Sequence, residues 1–116
     1  MGKYLQVFMT VDDREKAELI ADRLVEKRLA ACVQITGPIT SVYHWKGKKE
    51  RSKEWLLIIK SDENRYPLLE EEIRSLHSYE IPEIVASPIV FGNRSYLAWI
   101  DDNLMGTNDG AEKDKF

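Results

Sequence analysis

Cysteine, proline and glycine are all sparse in this chain: one, four and six among 116 residues. The single cysteine, Cys32, excludes an internal disulfide and leaves no CxxC or Cys/His spacing for a zinc site. A lone thiol fits a reducing compartment. Long apolar runs are lacking too, since nowhere do roughly eighteen consecutive apolar residues occur, so no segment reads as a membrane-spanning helix. The opening stretch MGKYLQVFMTVDD carries no signal-peptide cleavage pattern, and the expected location is the cytoplasm. Positive charge is not in excess. Seventeen Lys and Arg against 20 Asp and Glu give a net charge of −3, whereas binding a phosphate backbone needs clustered cations. The basic cluster KGKKERSK is broken by Glu50 and reads as a hairpin tip, so neither nucleic acid nor a membrane is an expected partner. GxGxxG and Walker loops, the GxSxG elbow and the HExxH helix are all missing. Their absence removes the usual parts of nucleotide-cradling, hydrolase and metalloprotease chemistry. No enzymatic activity and no organic cofactor is expected.

What is present is periodicity. Leu5, Val7, Met9 and Val11 alternate with Tyr4, Gln6, Phe8 and Thr10, the pattern of a strand. Asp12 and Asp13 offer an N-cap, and Ala17, Ile20, Ala21, Leu24 and Val25 then recur at helical spacing to about Lys27. AACVQITGPITSVYHW reads as a strand interrupted at Gly37-Pro38, KGKK as a turn around Gly47, and SKEWLLIIK as the returning strand. Tyr66, Leu69, Ile73 and Leu76 mark a second helix with Pro67 in its first turn, and His77 falls on the same stripe. Ile81-Pro82 forces an extended chain, EIVASPIVFG supplies a fourth strand, and a short helix after Asn93 carries Tyr96, Leu97, Trp99 and Ile100. The order predicts an α+β, ferredoxin-like β-α-β-β-α-β sandwich with an extra C-terminal helix over residues 1–104. Residues 105–116 form a polar tail, expected to be flexible. The third strand is apolar on both sides, with Trp55, Leu57 and Ile59 on one face and Leu56 and Ile58 on the other. Helices cover only one face of such a sheet, so a second copy of the chain is the expected cover for the other.

EKRLAACVQI, SVYHWKGK, LLIIKS, HSYEIPEIVASPIVFGN and YLAWI, in this order, resemble the CutA divalent-ion-tolerance family. The resemblance implies a sheet-packed homotrimer similar in architecture to the PII regulators, with copper or another divalent cation as ligand and a role in tolerance of such ions. Two positions depart from the family pattern. Ser78 stands where proline is common after the histidine, and Met9 stands where some bacterial members carry a copper-ligating cysteine. A thioether is soft and can favour copper(I), but it is a weaker and uncharged ligand.

His77 is the leading candidate ligand, because a neutral imidazole binds copper, zinc or nickel and its second nitrogen can be oriented by a carboxylate. Glu80 and Glu83 flank Ile81-Pro82 and could present two carboxylates beside it, with Met9 and Cys32 as further soft donors. Each also has a purely structural reading: a helix-end histidine, surface glutamates, a buried thiol. A second reading is a PII-like module binding a small ligand between subunits through Lys60, Tyr43, Trp45, Tyr79 and Trp99, with Lys60 placed near the His77 loop. His44, beside the hairpin turn, is expected to be exposed. A trimer with no specific ligand is the third.

Overall fold

The computed structural model describes residues 3–104 and residue 106. The alternating residues near the N-terminus form strand β1 (Tyr4–Val11), with Leu5, Val7, Met9 and Val11 all buried. Asp13 then caps helix α1 (Arg14–Glu26), its side chain accepting the Glu15 N–H at 3.1 Å. Strands β2 (Cys32–Trp45) and β3 (Lys48–Asp62) make the long hairpin, turning at Lys46 and Gly47, both with positive φ. Two left-handed residues between paired strand ends suit the right-handed twist of a two-residue hairpin loop. Helix α2 (Tyr66–Leu76) carries Pro67 in its first turn, where no N–H is needed. Strand β4 (Ile84–Pro88) follows, and helix α3 (Arg94–Asp102) is capped by Asn93, which accepts the Tyr96 N–H at 2.8 Å.

The four strands form one antiparallel sheet in the order β2-β3-β1-β4. Ala17, Ile20 and Leu24 of α1 and Leu69 and Ile73 of α2 pack on Val7, Met9, Leu57 and Ile59 in one core, so both helices lie on the same face. This is the ferredoxin-like α+β arrangement with an added C-terminal helix. The two helices are tied across their outer surface by Lys27 and Glu72, 2.9 Å apart. Helix α3 forms a separate small cluster, Ile100 and Leu104 against Ala31 and Tyr4, at one end of the opposite face. The rest of that face stays partly open: Phe8, Leu56 and Ile58 are only half-buried and Val85 is 53% exposed.

Two features differ in extent from the sequence reading. The fourth strand stops at Pro88, short of the whole EIVASPIVFG segment, because β1 begins at Tyr4. The Tyr4 carbonyl takes the Ile89 N–H at 2.9 Å, and nothing further along β1 remains to pair. The interruption of β2 is a bulge, with three steps from Thr36 to Ile39 set against two from Leu56 to Glu54 on β3. One extra residue reverses the alternation. Before the bulge Cys32, Gln34 and Thr36 share the open face, and after it Ile39, Ser41, Tyr43 and Trp45 do. The expected tail at residues 105–116 lies outside the described residues, Gly106 excepted.

Candidate functional site

Helix α2 ends at His77, whose φ of −83° and ψ of 145° turn the chain extended while its N–H still reaches the Ile73 carbonyl at 2.8 Å. The half-buried imidazole then points across to the end of β1. Its Nε2 lies 2.7 Å from the Thr10 carbonyl, which can only accept, so Nε2 carries the proton. Its Nδ1 accepts the Tyr79 backbone N–H at 3.1 Å. The ring is therefore held as one neutral tautomer with no lone pair left over. Its work is to bolt the loop to β1 and to set Tyr79, whose ring centroid is 4.7 Å away.

Tyr79 carries the geometry onward. Its hydroxyl donates to Glu54 Oε2 at 2.8 Å, and the Ser41 hydroxyl donates to Glu54 Oε1 at 2.6 Å. Glu54 is only 5% exposed. Both of its oxygens accept, as an ionised carboxylate's do. Burial, and then the bond to Glu54, push the Tyr79 phenol above the usual tyrosine range, which keeps its proton in place as the donor. The bulge in β2 brings Ser41 into reach. At Gly37 the strands approach so closely that a Cβ would sit 2.7 Å from Trp55 Cδ1 and 3.1 Å from the Glu54 carbonyl oxygen.

Glu54, Ser41 and Tyr79 form the floor of an open cavity of about 710 Å³. Tyr43, Trp45 and Ile81 supply apolar walls, and Glu80 and Glu83 stand at its rim. Thr10 also lines it, its hydroxyl making a long 3.5 Å contact to Glu83. No lysine or arginine among the described residues lines the cavity. Among the described residues, none of the three glutamates belongs to an ion pair. Lys46 sits outside, its Nζ 5.8 Å from the centre of the Trp45 ring. Lys48, paired in register with Trp45, is a second nearby cation. The charges carried by the described lining itself are thus all acidic, while the basic groups stand at the hairpin end.

The candidate residues divide into two groups. Tyr43, Trp45, Tyr79, Glu80 and Glu83 line the cavity, with His77 behind Tyr79 as a brace. The others lie elsewhere. Met9 is fully buried among the helices' apolar contacts, on the face opposite Thr10. Cys32 pairs in register with Lys60, and Lys60 with Gln6, which is four residues along β1 from Thr10 or roughly 13 Å at strand rise. Lys60 is thus at the α3 end of the sheet, bonded to Gln34 at 3.3 Å, and not near the His77 loop where the sequence reading placed it. The reason is strand direction: β3 runs antiparallel to β1, so its last residues lie beside Tyr4. Trp99 stacks on Tyr96 in α3, 5.6 Å between centres. His44 is exposed in the hairpin. Among the described residues, no group of three or more His, Cys, Asp or Glu is arranged to hold a metal ion.

Three polar residues of the site, Glu54, Ser41 and Thr10, and the apolar lining residues Val42 and Ile81 were not among the candidates read from the sequence. The signal for Glu54 was its phase. It continues the Leu56, Ile58 alternation on the face away from the helices, and so had to enter or edge the open side of the sheet.

A family model described as CutA1 divalent ion tolerance protein matches residues 5–103. The divalent-cation tolerance protein CutA of Thermus thermophilus is 47% identical over 97 residues, 84% of this chain and 94% of its own. Protein CutA of Mus musculus is 44% identical over 99 residues, 85% of this chain but 56% of its own, so the chain spans about half of that relative. Among solved structures, the Thermus thermophilus protein superposes with a TM-score of 0.85 at 46% identity, covering 87% of this chain and 98% of its own. CutA1 of the psychrotrophic bacterium Shewanella sp. SIB1 gives 0.87 at 40% identity, covering 90% and 97%.

Proposed function

For a chain that belongs to the CutA1 divalent ion tolerance protein family, we propose a part in divalent-cation tolerance as a cation-binding protein without enzymatic activity. The observation that carries this reading is that Glu54, Glu80 and Glu83 line one cavity with no basic residue among its described lining, although the three are not drawn together into a ready-made metal site. Carboxylate oxygens suit harder divalent ions such as magnesium, calcium or manganese. Copper is the more demanding case, because its preferred donors are dispersed: both nitrogens of His77 are engaged, Met9 is in the core, and Cys32 is at the far end of the sheet. A copper site at this loop requires His77 to release Thr10 or Tyr79.

A sheet-packed homotrimer is part of the same proposal. Half-buried Phe8, Leu56 and Ile58, with Val85, leave an apolar face that a sister subunit would cover. Half-buried, free Cys32 is compatible with the cytoplasm as the place of action.

Calorimetric titration with copper(II), manganese(II) and magnesium tests the assignment on wild type, His77→Ala and the double variant Glu80→Gln/Glu83→Gln. We expect a carboxylate-seeking ion to bind saturably, the double variant to lose it, and His77→Ala to retain it. His77→Ala should instead lose stability, about 1–3 kcal/mol, for the Thr10 carbonyl and Tyr79 N–H it leaves unpaired. Copper binding abolished by His77→Ala alone would move the site to the imidazole, and no saturable binding of any ion would remove the cavity from the tolerance role.

A further inference from the structure

A bare metal ion would use only half of what the cavity offers. Its floor is a carboxylate, but its walls are Tyr43, Trp45 and Ile81, which a hydrated ion leaves wet. Glu54 adds a sharper requirement. Its hydrogen bonds are satisfied by Ser41 and Tyr79, yet its negative charge, 5% exposed, has no cationic partner among the described residues. Taking a carboxylate out of water without a counter-charge is costly, and a ligand that brings the positive charge recovers that cost on binding.

We propose that this cavity binds a small organic ammonium ion with an apolar body, an alkyl or aryl amine, its nitrogen held at Glu54 and Glu83 and its body against Tyr43, Trp45 and Ile81. The proposal stands whether or not a divalent metal ion also visits the rim. A primary ammonium carries three donors, and each carboxylate oxygen of Glu54 keeps a second lone pair after accepting from Ser41 or Tyr79. Aromatic faces attract such a cation in addition to packing its carbon skeleton, and Trp45 already attracts one in Lys46. A space of about 710 Å³ is in the range of small-molecule sites. An anionic ligand meets three glutamates and, among the described lining residues, no basic side chain. A neutral one of the same shape leaves the Glu54 charge unmatched. The discriminating feature is therefore charge on an otherwise apolar ligand.

The test is a pair of probes of nearly one shape, phenethylammonium and 2-phenylethanol, titrated calorimetrically into the full chain with a chelator present so that no metal ion contributes. We expect one saturable site per chain for the amine, about ten-fold or more tighter than for the alcohol. Glu54→Gln, which keeps the side-chain shape and a carbonyl acceptor, should erase that difference. Trp45→Leu should weaken the amine, and Glu83→Gln should weaken it while leaving the alcohol unchanged. If Glu54→Gln fails to melt cooperatively, Glu83→Gln and Trp45→Leu carry the same comparison. Equal affinity for the two probes overturns the proposal. So does absence of saturable amine binding, the outcome expected if a lysine of a neighbouring copy already fills the cavity. Because the chelator removes metal ions, failure here leaves the divalent-cation reading intact, and failure of the metal titration leaves this one intact.

Discussion

Tyr4 illustrates how one hydroxyl links the ends of the chain. Its O–H donates to Asp101 Oδ2 at 2.6 Å, joining the start of β1 to α3 across 97 positions of sequence. That hydrogen bond, and then burial, raise the phenol from 10.0 to about 12. The folded protein thus holds this proton more tightly than the unfolded chain. The resulting stability is whole below about pH 10 and is lost as the pH climbs through 12. Between those limits the melting temperature of wild type should fall more steeply than that of Tyr4→Phe, which has no proton to lose. Parallel curves would separate this bond from stability.

The same scale shows what a sequence does and does not expose. His77 is visible as a histidine on a helical stripe. That both of its nitrogens are taken, by a carbonyl 67 positions away and by an N–H two residues on, is a matter of three-dimensional placement. Glu54 is harder still. In the string KGKKERSKEW it is one charge among many, and its burial depends on a serine 13 positions before it and a tyrosine 25 after.

At the scale of elements, local chemistry spoke more plainly. The alternation in β1, the Asp13 cap, Pro67 at the start of α2 and Gly47 in the turn are each short-range signals, and each element stands where its signal placed it. The extent of β4 and the location of Lys60 depended on partners, since a strand ends where its neighbour ends and runs in the direction its pairing dictates. The bulge joins the two kinds of information. Gly37-Pro38 was legible as a break, but its effect, turning Ser41, Tyr43 and Trp45 to the cavity side, follows from a one-residue slip between paired strands. Gly37→Ala should cost about 1–3 kcal/mol by forcing a methyl group onto Trp55. Chemical denaturation measures this, and a neutral result would mean the two strands can separate there without loss.

For the whole molecule, shape is the informative quantity. The described protein extends 53 × 26 × 22 Å with a radius of gyration of 15.4 Å, whereas a compact domain of this length has roughly 13 Å. The excess is the hairpin, whose outer half stands free with Val42, Tyr43 and Trp45 exposed. Phe91 is 91% and Val90 74% exposed beyond β4. An apolar inventory of this kind is consistent with a protomer that associates. Native mass spectrometry should give about three times the 13.5 kDa chain mass, and Phe91→Ser should shift the population toward smaller species. A stable, soluble single chain at micromolar concentration would contradict the proposed assembly.

The sheet order leaves β2 as an outer strand of 14 residues, and an unbroken rim of that length is an invitation to endless strand addition. The kink at Gly37-Pro38 divides the rim into two short lengths that twist apart, and the proline contributes no amide hydrogen at the joint. Strand addition along this border therefore meets a break in the ladder within a few residues, which blunts the edge against open-ended pairing.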